Sequence, residues 1–231
     1  MAARLWRGLA SAVAAVVNSP VFKPAVFLAC LAPGVLLGRR LYLVLTGADP
    51  SALGADPTKL MEHETGRYAL MILLFTLTVT PLRRLFQVNR IQRVRRMLGV
   101  WSFAYAFAHV VIYLTLDQLC YSVETCQFPA VWEDLTRRPF IFVGMAAFSS
   151  LALLALTSTT GWMRRLGRNW QRLHRLVYVA AVVAVVHFAW GQKADISEPL
   201  QWGAYLAALL SLRVVLALRK RPARLVPAVS R

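Results

Sequence analysis

Apolar residues run through this chain in long blocks. They fill about Pro24 to Leu45, Gly66 to Leu82, Leu98 to Leu116, Pro139 to Thr157, Leu173 to Trp190 and Leu200 to Leu218, with few charges inside any of them. A hydrocarbon layer about 30 Å thick is crossed by about 20 helical residues, with roughly 17–25 tolerated. Six blocks of that length predict an all-α, polytopic membrane protein built as a six-transmembrane-helix bundle. The first block is the least regular. Pro33, Gly34 and Gly38 interrupt it and Arg39 and Arg40 sit deep, so a kinked or shortened helix is expected there.

Composition agrees with the blocks. Hydrophobic residues make up 58% of the 231 and charged ones 16%, whereas a soluble domain carries about 25% charge. The net charge of +17 invites a nucleic-acid reading, but the basic residues flank the apolar blocks and form no continuous stripe. No nucleic-acid partner is expected.

Charge also orients the bundle. Twenty of the 27 Lys and Arg residues fall on the side holding both termini: three before the first block, Arg83 to Arg96 between the second and third, Arg164 to Arg175 between the fourth and fifth, and six from Arg213 onward. All ten Asp and Glu residues fall on the other side, with Lys59, Arg67, Arg137, Arg138 and Lys193. Short Lys/Arg-rich loops stay in the cytoplasm, so both termini are expected there. Residues 4–19 resemble a signal peptide, but cleavage would reverse every later loop against its arginines. Residues 1–20 are therefore read as a cytoplasmic leader or surface helix, 21–218 as the transmembrane domain and 219–231 as a basic cytoplasmic tail.

Three cysteines lack metal-like spacing. Cys30 lies inside the first helix as a packing residue. Cys120 and Cys126 share an outer loop, where they either form a disulfide or stand unrelated. Four histidines carry the chemistry. His109 in the third block and His187 in the fifth fall at similar depth in the outer half of the bilayer. Ionisable groups inside spans are rare and mark interior sites, and neutral imidazole is an axial haem ligand. Two at matched depth can clamp one porphyrin; the plainer alternative is a helix–helix hydrogen bond. His174 lies 13 residues before His187, roughly 20 Å lower and roughly 140° around a straight helix. The two cannot face one axis unless the helix is tilted or distorted. Counting back from His109 reaches Arg95 and Arg96. These are poor metal ligands, but either a partner for haem propionates or a topological anchor. His63 is placed in the outer loop, either solvated or in contact with a docking protein or polar substrate.

Several runs now stand in a recognisable order: Leu53-Gly-Ala-Asp-Pro57, His63-Glu-Thr-Gly-Arg67, Thr80-Pro-Leu82, Arg95-Arg-Met-Leu-Gly-Val-Trp101, His109, Thr157-Ser-Thr159, Leu166-Gly-Arg-Asn-Trp-Gln-Arg-Leu-His174 and His187. Over about residues 45–215 they closely resemble the MsrQ (YedZ) family. These are haem-binding membrane subunits of the periplasmic protein-methionine-sulfoxide reductase system, in the ferric-reductase-like transmembrane superfamily. The resemblance implies a bacterial inner-membrane subunit holding one or two haem b, with FMN as a further family cofactor. Electrons would pass from the quinone pool or a cytoplasmic flavin reductase to a periplasmic molybdopterin reductase, MsrP-like, in a heterodimer. His109, His187 and His174 would be the metal ligands, with Arg95 assisting cofactor binding and no catalytic residue on this chain. No Gly-x-Gly-x-x-Gly run is present, so donor and substrate chemistry are expected on partners. Two alternatives stay open: a cytochrome b subunit of another quinone-linked oxidoreductase or metal-ion reductase, and a cofactor-free transporter or scaffold. The absence of intramembrane acids counts against proton-coupled transport.

Overall fold

A computed structural model describes residues 2–118, 126, 128–192 and 195–218. Among the described residues all regular structure is helical: α1 (Ala2–Asn18), α2 (Phe22–Leu45), α3 (Pro57–Phe86), α4 (Gln92–Ile112), α5 (Phe128–Arg137), α6 (Pro139–Leu156), α7 (Thr160–Leu166), α8 (Arg168–Leu173), α9 (Leu176–Gly191) and α10 (Ser197–Leu218). A 3₁₀ turn at Asn89–Ile91 leads into α4, and a π turn at Tyr113–Asp117 follows it. Six stretches are long and apolar enough to span a membrane: α2, α3, α4 with its flanking turns, α6, α8–α9 and α10. The chain is a multi-pass membrane protein. Cys120 and the basic tail from residue 219 lie outside the described residues, and with them both alternatives for Cys120 and Cys126.

The central helix is α3. Half of its apolar window is buried, against 11–22% for the other five. Its 30 residues extend about 45 Å, which is longer than the hydrocarbon layer, so the helix begins outside the apolar block. Asp56 caps it by accepting from the Lys59 N–H at 3.0 Å, and Pro57 occupies the first turn, where its missing N–H costs nothing. The same Lys59, through its ammonium and its N–H, holds the Asp56 carboxyl below its ordinary range. The helix thus starts nine residues before Gly66, and His63, expected in a loop, lies on its second turn.

Around α3, small buried residues bring backbones close. Ala180 and Ala181 on α9 are fully buried. The buried Ser102 hydroxyl on α4 donates to the Ala69 carbonyl on α3 at 2.9 Å, a polar link of the kind that joins helices where lipid offers no acceptor. Facing outward are large apolar side chains such as Leu28, Leu36, Phe142 and Val214. On a soluble surface they would form an aggregation-prone patch; in lipid they are solvated. Exposed arginines crowd the end where α3 stops and α4, α7, α8 and α9 begin, called the basic end below. The acidic end is opposite.

The irregular first span is one helix, held together at its weak point. Pro33 removes an N–H from α2, and the Tyr105 hydroxyl of α4 enters the ladder at the next step. It accepts from Gly34 N–H at 2.8 Å and donates to the Cys30 carbonyl at 2.7 Å. One phenol therefore bridges an i, i+4 pair and fastens α2 to α4. Tyr105→Phe leaves two buried backbone groups to re-pair by straightening α2 away from its neighbour. A loss of about 1 kcal/mol is expected, read as a lower melting temperature in detergent with helical content unchanged; an unaltered melt would show that the bridge carries no stability.

Candidate functional site

The two intramembrane histidines meet. His109 on α4 and His187 on α9 have ring centroids 6.2 Å apart with planes at 77°. Each is held the same way. His109 Nδ1 lies 2.9 Å from the Glu62 carbonyl of α3, and His187 Nδ1 lies 2.7 Å from the Phe140 carbonyl of α6. A carbonyl only accepts, so Nδ1 carries the proton in both rings, and the lone pair of each neutral imidazole resides on Nε2. No hydrogen bond engages either Nε2 among the described residues.

Room for these contacts comes from glycine. Gly66 stands one helical turn after Glu62, and Gly144 one turn after Phe140. A methyl group at Gly66 would approach the His109 ring to 3.2 Å, and one at Gly144 would reach the His187 ring at 2.6 Å. Each imidazole thus lies in a notch on the neighbouring helix, its N–H directed at a carbonyl that already belongs to the helical ladder. The α3–α4 and α6–α9 pairs repeat one device. Nothing in the histidine spacing indicated either glycine or either carbonyl; the readable trace was a glycine inside an apolar block at the histidine's depth.

This donor set suits a particular class of ligand. Among the described residues no group of three or more His, Cys, Asp or Glu side chains could enclose a bare ion. Two orientated imidazoles instead fit a metal that brings its remaining ligands with it. Two metal–nitrogen bonds of about 2 Å, plus the distance from each nitrogen to its ring centre, span about 6 Å, which matches the observed separation. Backbone acceptance at the far ring nitrogen is the usual support for a ligating histidine.

His174 is held otherwise. The helix breaks between α8 and α9 at this residue. Its ring stacks on Trp170, with centroids 3.9 Å apart, and its Nε2 lies 3.2 Å from the Thr157 hydroxyl. That hydroxyl donates to the Leu153 carbonyl at 2.7 Å, so it accepts from His174 Nε2–H. Trp170 Nε1 donates to the Thr157 carbonyl at 2.9 Å, closing the unit. The Thr157, Trp170 and His174 motifs therefore form one cluster in the basic half. Arg95 is half-buried and within electrostatic reach of His174, while Arg96 is exposed.

Two features were not legible beforehand. Arg213, counted above among the basic-side residues, turns inward from α10 to donate to the Tyr178 hydroxyl and the Leu77 carbonyl, with Arg95 and Arg84 nearby. At the acidic end, His63 lies beside an ion-pair network. Arg67 Nε meets Glu198 at 2.7 Å, Arg67 Nη1 meets Glu64 at 3.3 Å, and His63 Nε2 is 3.7 Å from Glu198. His63 also packs on Phe188, beside His187, with centroids 5.7 Å apart.

Known proteins share this sequence. Residues 65–185 match the family described as ferric reductase like transmembrane component. A protein of Xanthomonas euvesicatoria pv. vesicatoria (strain 85-10) is 47% identical over 192 residues, covering 83% of this chain and 85% of the relative. One of Xanthomonas axonopodis pv. citri (strain 306) is 48% identical with the same coverage. One of Rhodospirillum rubrum is 43% identical over 85% of this chain and 89% of its own length. All three are named protein-methionine-sulfoxide reductase heme-binding subunit MsrQ. At this identity and coverage, with six spans and the ferric-reductase-like region in place, the chain belongs to the MsrQ family of ferric-reductase-like transmembrane proteins.

Proposed function

We propose that this protein is a haem b electron-transfer subunit that passes reducing equivalents across a bacterial inner membrane to a periplasmic, molybdopterin-containing methionine-sulfoxide reductase. The observation that carries this reading is the His109–His187 pair: two imidazoles whose ring centres lie at the separation expected across a doubly ligated iron, each ring orientated by a backbone carbonyl. The haem-binding role named for its relatives supports it. A bound haem supplies one-electron chemistry.

The chain's own residues do the rest. His109 and His187 hold the outer site. The Glu62 and Phe140 carbonyls fix their tautomer and ring orientation, and Gly66 and Gly144 give the rings room. Partial burial of both rings in the bundle would limit water at the metal and so tune its potential. We assign a second, inner site to His174, with Arg95 as its cationic partner. Ligation through Nε2 there requires the ring to release Thr157, so this site is built for exchange where the outer one is preset. Quinol or a cytoplasmic flavin reductase would supply electrons at the basic end, whose arginines support a cytoplasmic orientation. Methionine sulfoxide, a polar and chiral lesion, would be reduced on the partner docked at the acidic end, where His63 and Phe188 lead toward His187.

Three outcomes follow. His109→Ala and His187→Ala are each expected to remove the outer haem and abolish electron delivery, whereas His174→Ala keeps it. Pyridine haemochrome counts on purified protein decide this, and full haem content in both outer variants would refute the pairing. The glycine notches grade the same test. Gly144→Ala, whose added carbon would meet His187 at 2.6 Å, should lower haem content several-fold and more than Gly66→Ala, at 3.2 Å from His109; equal and full occupancy would show that the notches are unnecessary. For orientation, a reporter active only outside the cytoplasm should be active when fused after Ala52 and silent after Arg90, and the reverse result would invert the assigned direction.

A further inference from the structure

We propose that the cavity between the α1–α2 turn and the start of α4 is a binding site for the phosphate headgroup of an anionic phospholipid. The cavity measures about 450 Å³ and is lined by residues 17–20, 22–24, 90, 93 and 94. It contributes nothing to the histidine sites, and the inference does not depend on the haem reading.

Three cations border it: Lys23, Arg90 and Arg93. No acidic side chain lines it, and the sequence places all ten Asp and Glu residues at the opposite end of the bundle. Arg90 spends one N–H on the Asn18 carbonyl, at 3.2 Å, which fixes its guanidinium against the α1–α2 turn. Lys23 and Arg93 are exposed and make no hydrogen bond or ion pair with the described residues. Three positive charges facing one pocket without a counter-charge repel one another, and an anion relieves that cost.

The other walls identify which anion. Val17, Phe22, Pro24 and Val94 are apolar, a poor match for a fully hydrated inorganic ion and a good one for the glycerol and first acyl carbons below a phosphodiester. The position agrees. α2 begins at Phe22 and α4 at Gln92, so the pocket lies where two spans leave the hydrocarbon layer, at headgroup depth. Basic pockets between transmembrane helices at the cytoplasmic surface bind anionic lipid headgroups.

Helix α1 supplies a roof suited to the same surface. Leu5, Trp6, Leu9 and Val16 are exposed on it, while Trp6 stacks on Phe86 of α3 with centroids 5.1 Å apart. An amphipathic helix with exposed apolar residues, docked at the basic end of a bundle, lies in the interface plane with that face in the acyl boundary. A zwitterionic headgroup would bring its own ammonium toward three cations, so the site selects a net negative lipid.

The test uses full-length protein in neutral detergent, with phosphatidylglycerol, phosphatidylcholine, sodium phosphate and FMN as probes, read by native mass spectrometry of bound adducts. Wild type should retain phosphatidylglycerol at least tenfold better than phosphatidylcholine, and neither phosphate nor FMN should displace it. Lys23→Gln combined with Arg93→Gln should lower that retention at least tenfold. Arg164→Gln with Arg168→Gln, which removes the same charge from exposed positions around α7, should not. Equal retention of the two lipids, displacement by FMN or phosphate, or equal loss in the two charge variants would each overturn the assignment. The wild-type comparison decides even where a variant fails to fold.

Discussion

An imidazole inside a lipid-embedded bundle has no water to accept its N–H, and burying that group unpaired costs several kcal/mol. The architecture described here answers this constraint twice in one way. The ring of a histidine on one helix reaches the carbonyl of the adjacent helix, and a glycine one turn later removes the carbon that would block it. Satisfying the donor at Nδ1 fixes the tautomer, which leaves an acceptor at Nε2. A requirement of stability thus produces a pair of metal-competent nitrogens.

The rest of the bundle serves that geometry. Because α3 and α6 supply the carbonyls while α4 and α9 supply the rings, the site requires two tightly packed helix pairs set side by side. Small residues on α9 and the Ser102 link between α4 and α3 allow the close approach. In the basic half the polar unit of Thr157, Trp170 and His174 sits at a break in the chain, and Arg213 points inward where two other arginines gather. A basic end without acids and an opposite end that holds all the acids give the molecule a direction along which an electron or a partner can be ordered.

Much of this was legible in the residues. Six apolar blocks fix six spans because a bilayer demands about 20 such residues each, and matched depth in two blocks located His109 and His187. Helix ends were less legible. Hydropathy begins the second span at Gly66, yet α3 begins at Pro57, because hydropathy falls at the membrane surface whereas a capped helix continues into water. His63 was misplaced for that reason. His174 and His187 reach the two ends of α6, at Thr157 and the Phe140 carbonyl, and the break between α8 and α9 lies at His174, which no periodicity announces. Gly66, Gly144 and the two carbonyls were invisible because a single glycine in an apolar run has many causes, and a carbonyl has no letter in the sequence.

The central claim is that two imidazoles share one iron. Pulsed electron paramagnetic resonance on the oxidised His174→Ala variant grown with ¹⁵N-histidine, which keeps only the outer site, measures this directly, since only axial histidine nitrogens then carry the label at coupling distance. A low-spin signal with two strongly coupled ¹⁵N nuclei is the predicted result. A signal coupled to a single histidine nitrogen, or a high-spin iron with an open axial position, would contradict the account.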